Sequence, residues 1–424
     1  MEYRTWPALD ARVSLLGFGC MRFPTDDAGC VQEDAAAAML RRALEAGVNY
    51  IDTAYFYHEE QSERVLGRVL ADVPRERYYL ATKLPTWKVE SLEDAQRFFT
   101  TQLERLNTDH FDFYLLHTLN RDRWRAMVEL GVVDWCVQKQ REGAICRFGF
   151  SFHDGYDVFE EILSFRKWDF CQIQFNYLDT DIQAGERGYA LAEQLGVPLV
   201  IMEPVKGGAL ADLPEDLAAR LRRARPGASM ASWALRWAAG RANVLTVLSG
   251  MSTLEQVEDN AATFTRFQPL TQAELALVEE TAAALRARVK NGCTGCRYCM
   301  PCPAGVNIPE NFQLWNQTAK TQNGASAWRP WHVNFGEEDK AKNCVRCGRC
   351  VPLCPQGIPI PGVFSAMNTH LIYGNTERAK GNYGFATRGK GKASDCIQCG
   401  QCESVCPQHI SIIQQLQQAA EVLE

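Results

Sequence analysis

No apolar run in this 424-residue sequence is long enough to cross a bilayer. The longest, such as Val197 to Met202, fall far short of the ~20 residues a spanning helix needs. A basic excess is also missing. Forty-five Lys and Arg against 51 Asp and Glu leave a formal net charge of −6, which argues against nucleic acid as the main partner. The opening residues, MEYRTWPALD, hold no basic stretch leading into an apolar core, so no export signal is read and a cytoplasmic protein is expected. No strand-like run is followed by G-x-G-x-x-G, which speaks against a doubly wound dinucleotide fold. Cysteine is scarce through residue 292: Cys20, Cys30, Cys136, Cys146 and Cys171 are scattered, fit the habit of free core thiols, and receive no role.

The remaining twelve of the 17 cysteines crowd into residues 293–424. With no export signal, disulfides are a poor account of them and metal ligation a better one. They form three sets: Cys293, Cys296, Cys299, Cys302; Cys344, Cys347, Cys350, Cys354; and Cys396, Cys399, Cys402, Cys406. The last two sets read C-x2-C-x2-C-x3-C-P, and the first has a shorter final gap. Three thiolates at two-residue gaps can wrap one face of a cubane, while the fourth closes that cluster or reaches its neighbour. Structural zinc also uses four cysteines but usually splits them into two separated pairs. Three [4Fe–4S] clusters, and at least two, are therefore expected. The matches extend beyond the cysteines: CPAGVNIPENFQLWN (302–316) aligns with CPQGIPIPGVFSAMN (354–368), and CPQHISI (406–412) begins a third copy.

Residues 13–265 alternate β-rich runs with helical patterns. The runs are VSLLGFG (13–19), VNYID (48–52), YYLATK (78–83), FDFYLLH (111–117), CRFGFS (146–151), FCQIQF (170–175), PLVIM (198–202) and VLTVLS (244–249). Eight strands, each followed by a helix, predict an α/β fold of the (β/α)8 TIM-barrel type. The expected domains are a barrel over 1–270, a linker helix over 271–292 and a mainly helical cluster domain over 293–424. Thr271 with Glu274 offers a capping box for that linker, and Asn291-Gly292 a stop.

Four polar residues sit at or just past the carboxyl ends of adjacent predicted strands, where barrel enzymes place chemistry: Asp52, Tyr57, Lys83 and His117. Through this set residues 1–265 resemble the aldo/keto reductases, whose Asp, Tyr, Lys and His tetrad maps onto those positions. The cysteine region resembles two-cluster ferredoxins extended by one repeat; in those the fourth cysteine serves the partner cluster, and with three motifs the pairing stays open. The resemblance makes Tyr57 a proton donor acidified by Lys83, with Asp52 holding Lys83 and His117 orienting a carbonyl. It also implies nicotinamide contacts at Ser151, Gln172 and Met202, although Phe152 stands where asparagine is common.

After the eighth strand, Ser249, Gly250 and Asn260 lie where relatives hold the adenosine end of the cofactor. No Lys or Arg occupies that stretch, so NADH is favoured over NADPH. Hydride chemistry moves two electrons and a cubane one, so a flavin could mediate, and the Lys206-Gly207-Gly208 turn lies where barrels bind phosphates. His58 is read as a pocket-lining residue or a second proton donor. Three functions follow. One is reduction or oxidation of a carbonyl or related small molecule, with electrons passing through the clusters. Another is electron transfer with the barrel as docking platform, and the last is an NADH-dependent reductase with structural clusters. A ferredoxin or flavoprotein would be the electron partner.

Overall fold

The computed structural model describes residues 1–26, 28–288, 307–321, 344, 346–373 and 376–424. It divides into two compact units, Met1–Ala282 and Ala283–Glu424. In the first, strands β3 (Leu16–Gly19), β4 (Tyr50–Asp52), β5 (Tyr79–Leu84), β6 (Phe111–Leu119), β7 (Ile145–Phe152), β8 (Phe170–Gln174), β9 (Leu199–Met202) and β10 (Val244–Ser249) close into a barrel. Every neighbouring pair is parallel, and β10 returns to β3. The strands are buried almost throughout, as apolar runs covered on both faces must be.

The sequence pattern merged two features at the start. The run 13–19 breaks at Leu15: its first half belongs to β2 (Ala11–Ser14), which pairs antiparallel with β1 (Tyr3–Trp6), and only its second half enters the barrel. This hairpin stops the amino end of the barrel. Leu9, Ala11 and Val13 pack with Tyr50, Phe113, Phe170 and Leu245, and Arg147 holds the Leu9 carbonyl at 2.7 Å. The opposite, carboxyl end is left to the loops.

Where the pattern allots one helix after β6, the chain forms two, Arg121–Glu129 and Val132–Arg141. Gly131, at φ 70°, takes the left-handed turn between them. A helix that the pattern passed over, Glu215–Ala224, starts behind Pro214 with two acidic residues in its first turn. The helix expected from 271 runs Gln272–Arg286, and its capping box is present: Thr271 N–H donates to Glu274 Oε2 at 2.8 Å, and Glu274 N–H to Thr271 Oγ1 at 3.3 Å. Asn291 and Gly292 lie outside the described residues. Among the described residues no helix is long and apolar enough to cross a membrane.

In the second unit, helices Ile308–Thr321, Ile360–Tyr373 and Ile412–Leu423 each start 52 residues after the last, so the repeat read from the cysteines is a repeat of structure. Helix Thr376–Ala386 packs on the second of these. The core joins Ile358, Ile360, Val363 and Met367 to Ile412, Leu416 and Ala419.

Two helices that follow the site-bearing strands β4 and β5 meet at a glycine. A Cβ on Gly67, in helix Gln61–Val69, would lie 2.1 Å from the Arg105 carbonyl oxygen in helix Leu92–Leu106. Helix propensity favours alanine there by ~1 kcal/mol, but a backbone oxygen cannot rotate away and overpacking costs ~1–3 kcal/mol. Gly67→Ala should therefore lower the denaturation midpoint of the barrel. An unchanged or higher midpoint would show the helices free to separate.

Candidate active site

The carboxyl ends of β4, β5 and β6 bring Asp52, Lys83 and His117 to one rim, and the loop after β4 returns Tyr57 to them. The Lys83 ammonium is fully buried and donates to Asp52 Oδ1 at 2.6 Å, to the Thr53 carbonyl at 2.7 Å and to Tyr57 Oη at 3.4 Å. An ammonium has three hydrogens, so all are spent and none is left for a substrate. Lys83 can act on a bound molecule only through the phenol. Burial pulls its pKa down, but Asp52 and Tyr57 outweigh that and hold it above the ordinary lysine value, so the charge persists. Burial likewise lifts the Asp52 carboxyl, with Lys83 pulling it back.

Tyr57 departs from the expected acidification. Lys83 lowers its pKa, yet burial, aided by Asp52, raises it more, and the net direction is upward from the ordinary phenol. His117 moves the other way: burial first, then the charges of Lys83, His153 and Arg123, hold it well below its ordinary value. A neutral imidazole is the result. Its ring meets Tyr57 edge-on, with centroids 5.9 Å apart, and its Nδ1 is buried without a partner.

Spacing alone missed several neighbours. Trp87, from the loop after β5, packs on His117 at 5.2 Å and on Phe56 at 5.6 Å, and stays 37% exposed at the mouth. Arg123 lies over its indole. Cys20, assigned no role from sequence, is buried against this site, where burial and then Asp52 push its thiol up. His58 accepts the Phe23 N–H through Nε2 at 3.2 Å, which fixes that nitrogen as an acceptor.

The next strands carry the residues read as nicotinamide contacts. Ser151 Oγ accepts the Thr118 N–H at 2.7 Å, leaving its own hydrogen to donate. Gln172 Nε2 lies 3.4 Å from Met202 Sδ, while its Oε1 is buried with no partner. One free hydroxyl donor and one orphaned amide acceptor on neighbouring strands match the two ends of a carboxamide. Asn260 Nδ2 donates to Ser249 Oγ at 3.0 Å. At Gly250 a Cβ would lie 2.6 Å from Arg22 Cγ, so the stem of Arg22, from the turn after β3, packs against the stretch read for the adenosine end. Lys206, in the turn considered for phosphate, is held by the buried Asp179 carboxylate.

In the second unit, two clefts draw on both described motifs. Cys344, Cys347 and Cys350 line one together with Cys406. Cys396, Cys399 and Cys402 line the other together with Cys354. Ile360 lines both. Four thiols per cleft, in apolar surroundings, fit a cubane. Cys293, Cys296, Cys299 and Cys302 lie outside the described residues.

Comparison with known proteins places these features. The Aldo/keto reductase family matches residues 15–283, and 4Fe-4S dicluster domains match 292–359 and 336–407. An L-galactose dehydrogenase of Arabidopsis thaliana is 27% identical over 318 residues, 69% of this chain and 96% of that protein. A methylglyoxal reductase of Escherichia coli is 26% identical over 265 residues, 61% of this chain and 88% of its own length. Among solved structures, aldo-keto reductase AKR11C1 from Bacillus halodurans in its holo form superposes with a TM-score of 0.56 at 28% identity, covering 66% of this chain and 96% of that one. A closed parallel barrel carrying a family match over residues 15–283, followed by 4Fe-4S domains, makes this chain an oxidoreductase of the aldo/keto reductase family.

Proposed function

We propose that the barrel reduces, or in reverse oxidises, a carbonyl or related unsaturated small molecule, with Tyr57 as proton donor, and that the cysteine clefts hold [4Fe–4S] clusters that pass electrons. The observation that carries the reading is the spent ammonium of Lys83, which directs its charge onto one phenol. A nicotinamide would be held by Ser151 and Gln172 and would supply hydride. As charge develops on the carbonyl oxygen, Tyr57 O–H donates, and Lys83 stabilises the phenolate left behind. Asp52 keeps Lys83 charged in a site that would otherwise discharge it. Neutral His117 can position the oxygen by a hydrogen bond without competing for the proton. Arg22, whose stem packs beside Gly250, would be the cation to meet a 2′-phosphate, so the reading admits NADPH as well as NADH.

The cluster ligands under this reading are Cys344, Cys347, Cys350 and Cys406 for one site and Cys396, Cys399, Cys402 and Cys354 for the other. The first motif, Cys293, Cys296, Cys299 and Cys302, supplies a third set.

Tyr57→Phe should lower carbonyl reduction by ~10²-fold or more, while iron and sulfide content stay unchanged. Retained turnover would move the proton donor elsewhere. Because the Tyr57 pKa is raised, its acid form persists at and beyond neutral pH. The reductive kcat/KM should then show no alkaline fall between about pH 6 and pH 9; a fall centred inside that window would exclude this phenol.

The crossed ligand sets are read by counting iron in double variants. Cys344→Ala with Cys406→Ala should cost about four irons, one cubane, whereas Cys396→Ala with Cys406→Ala should cost about eight. The reverse pattern would mean each motif closes its own cluster.

A further inference from the structure

The two described motifs are an internal control on each other. Their backbones turn left-handed at the same two positions: Arg346 at φ 54° matches Gln398 at 58°, and Gly348 at 75° matches Gly400 at 74°. The third thiol of each motif is equally covered, Cys350 at 8% exposure and Cys402 at 7%. A cubane's potential is set by cluster type, hydrogen bonds to sulfur, solvent exposure and nearby charge. Ligand type, the two left-handed turns and the cover on the third thiol are thus matched between the sites.

Charge is not. Arg346 and Arg349 stand where the later motif has Gln398 and Gln401. Arg349 lines the cleft of Cys344, Cys347, Cys350 and Cys406, and Gln398 lines the other. Following Cys402 comes Glu403, where the earlier motif has Val351. The Glu403 carboxylate is pinned at the second cleft, because its Oε1 accepts the N–H of Ile413, a residue of that cleft's wall, at 2.8 Å. A cation favours the more negative, reduced state of a cluster, and an anion opposes it.

We propose that these two sites are a graded pair, in which the site of Cys344, Cys347, Cys350 and Cys406 takes an electron in preference to the site of Cys396, Cys399, Cys402 and Cys354. The proposal rests on reading these thiols as cluster ligands. One electron leaves the reduced cluster beside Glu403, which is oxidised, and reduces the cluster beside Arg349; no atom moves. The swapped fourth cysteines place each cluster on the other's motif, so the step is short.

The test is an anaerobic potentiometric titration of the full chain, loaded with iron and sulfide and followed by electron paramagnetic resonance. Arg349→Gln should lower the midpoint of one signal, and Glu403→Gln, which keeps the acceptor for Ile413, should raise that of another that reduces later, while the signal of the first motif's cluster stays in place. Each shift should be about tenfold in the reduction equilibrium, or about 59 mV for one electron. If Arg349→Gln moves the later signal instead, or neither substitution moves its signal by that amount, the grading is overturned. Fewer than about eight irons in the parent chain, or no cubane signal, would overturn the ligand reading beneath it.

Discussion

The buried pair of Lys83 and Asp52 is the constraint on which the barrel site turns. Taking both charges out of water costs several kcal/mol per ion, and removing either partner from such a pair typically costs ~3–5 kcal/mol. The fold spends that energy on geometry. Lys83 is fixed by three acceptors, and its strand is fixed in turn. Gln102 donates to the Lys83 carbonyl at 3.1 Å and to Glu63 at 2.7 Å, and the buried Glu63 also takes the Thr82 hydroxyl at 2.7 Å. Arg105 pairs with Glu63 and Glu60 and lies over Tyr55, two residues before the phenol. The close helix contact at Gly67 brings these side chains within reach. The loop that presents Tyr57 is thereby tied to the strand that presents Lys83.

The same pair explains why burial, rather than charge, sets the phenol. A lone cation beside Tyr57 would acidify it, but burial pushes the phenol up more strongly than Lys83 pulls it down, and Asp52 adds to the rise. The result is a phenol that stays protonated near neutral pH, beside a cation that would stabilise its conjugate base. Lys83 therefore favours the phenolate more than the phenol, which is differential stabilisation of the kind that accelerates a proton transfer.

Much of this was legible in the sequence, and the rest fails for identifiable reasons. Eight strand runs, the rim positions of Asp52, Lys83 and His117, and the cysteine repeat follow from period, spacing and residue type. The hairpin merged with β3 because Val13 and Leu16 belong to one apolar run, and pairing direction leaves no mark in composition. Gly131 was in plain view, but an amphipathic pattern that continues across it hides the break. Arg22 and Trp87 could not be assigned because their meaning comes from loops brought together across the barrel mouth. Net pKa directions escape sequence reasoning for the same cause. They depend on how much water is excluded, which Lys83 and Tyr57 reveal only when their burial is known.

The apparent conflict between hydride and cluster chemistry is one of electron number. Carbonyl reduction consumes two electrons, and a nicotinamide moves both together. A cubane moves one. Under the proposed cluster reading, the repeat in the second unit would meet this by duplication, since two neighbouring cubanes could take up the two electrons of a hydride one at a time. If they were equal in potential, an electron would be shared between them. On the proposed grading, Arg349 on one side and Glu403 on the other would separate them, so that the first electron is localised before the second arrives. On this argument the charge differences between otherwise matching motifs are the functional content of the repeat, and the cysteines alone are its scaffold.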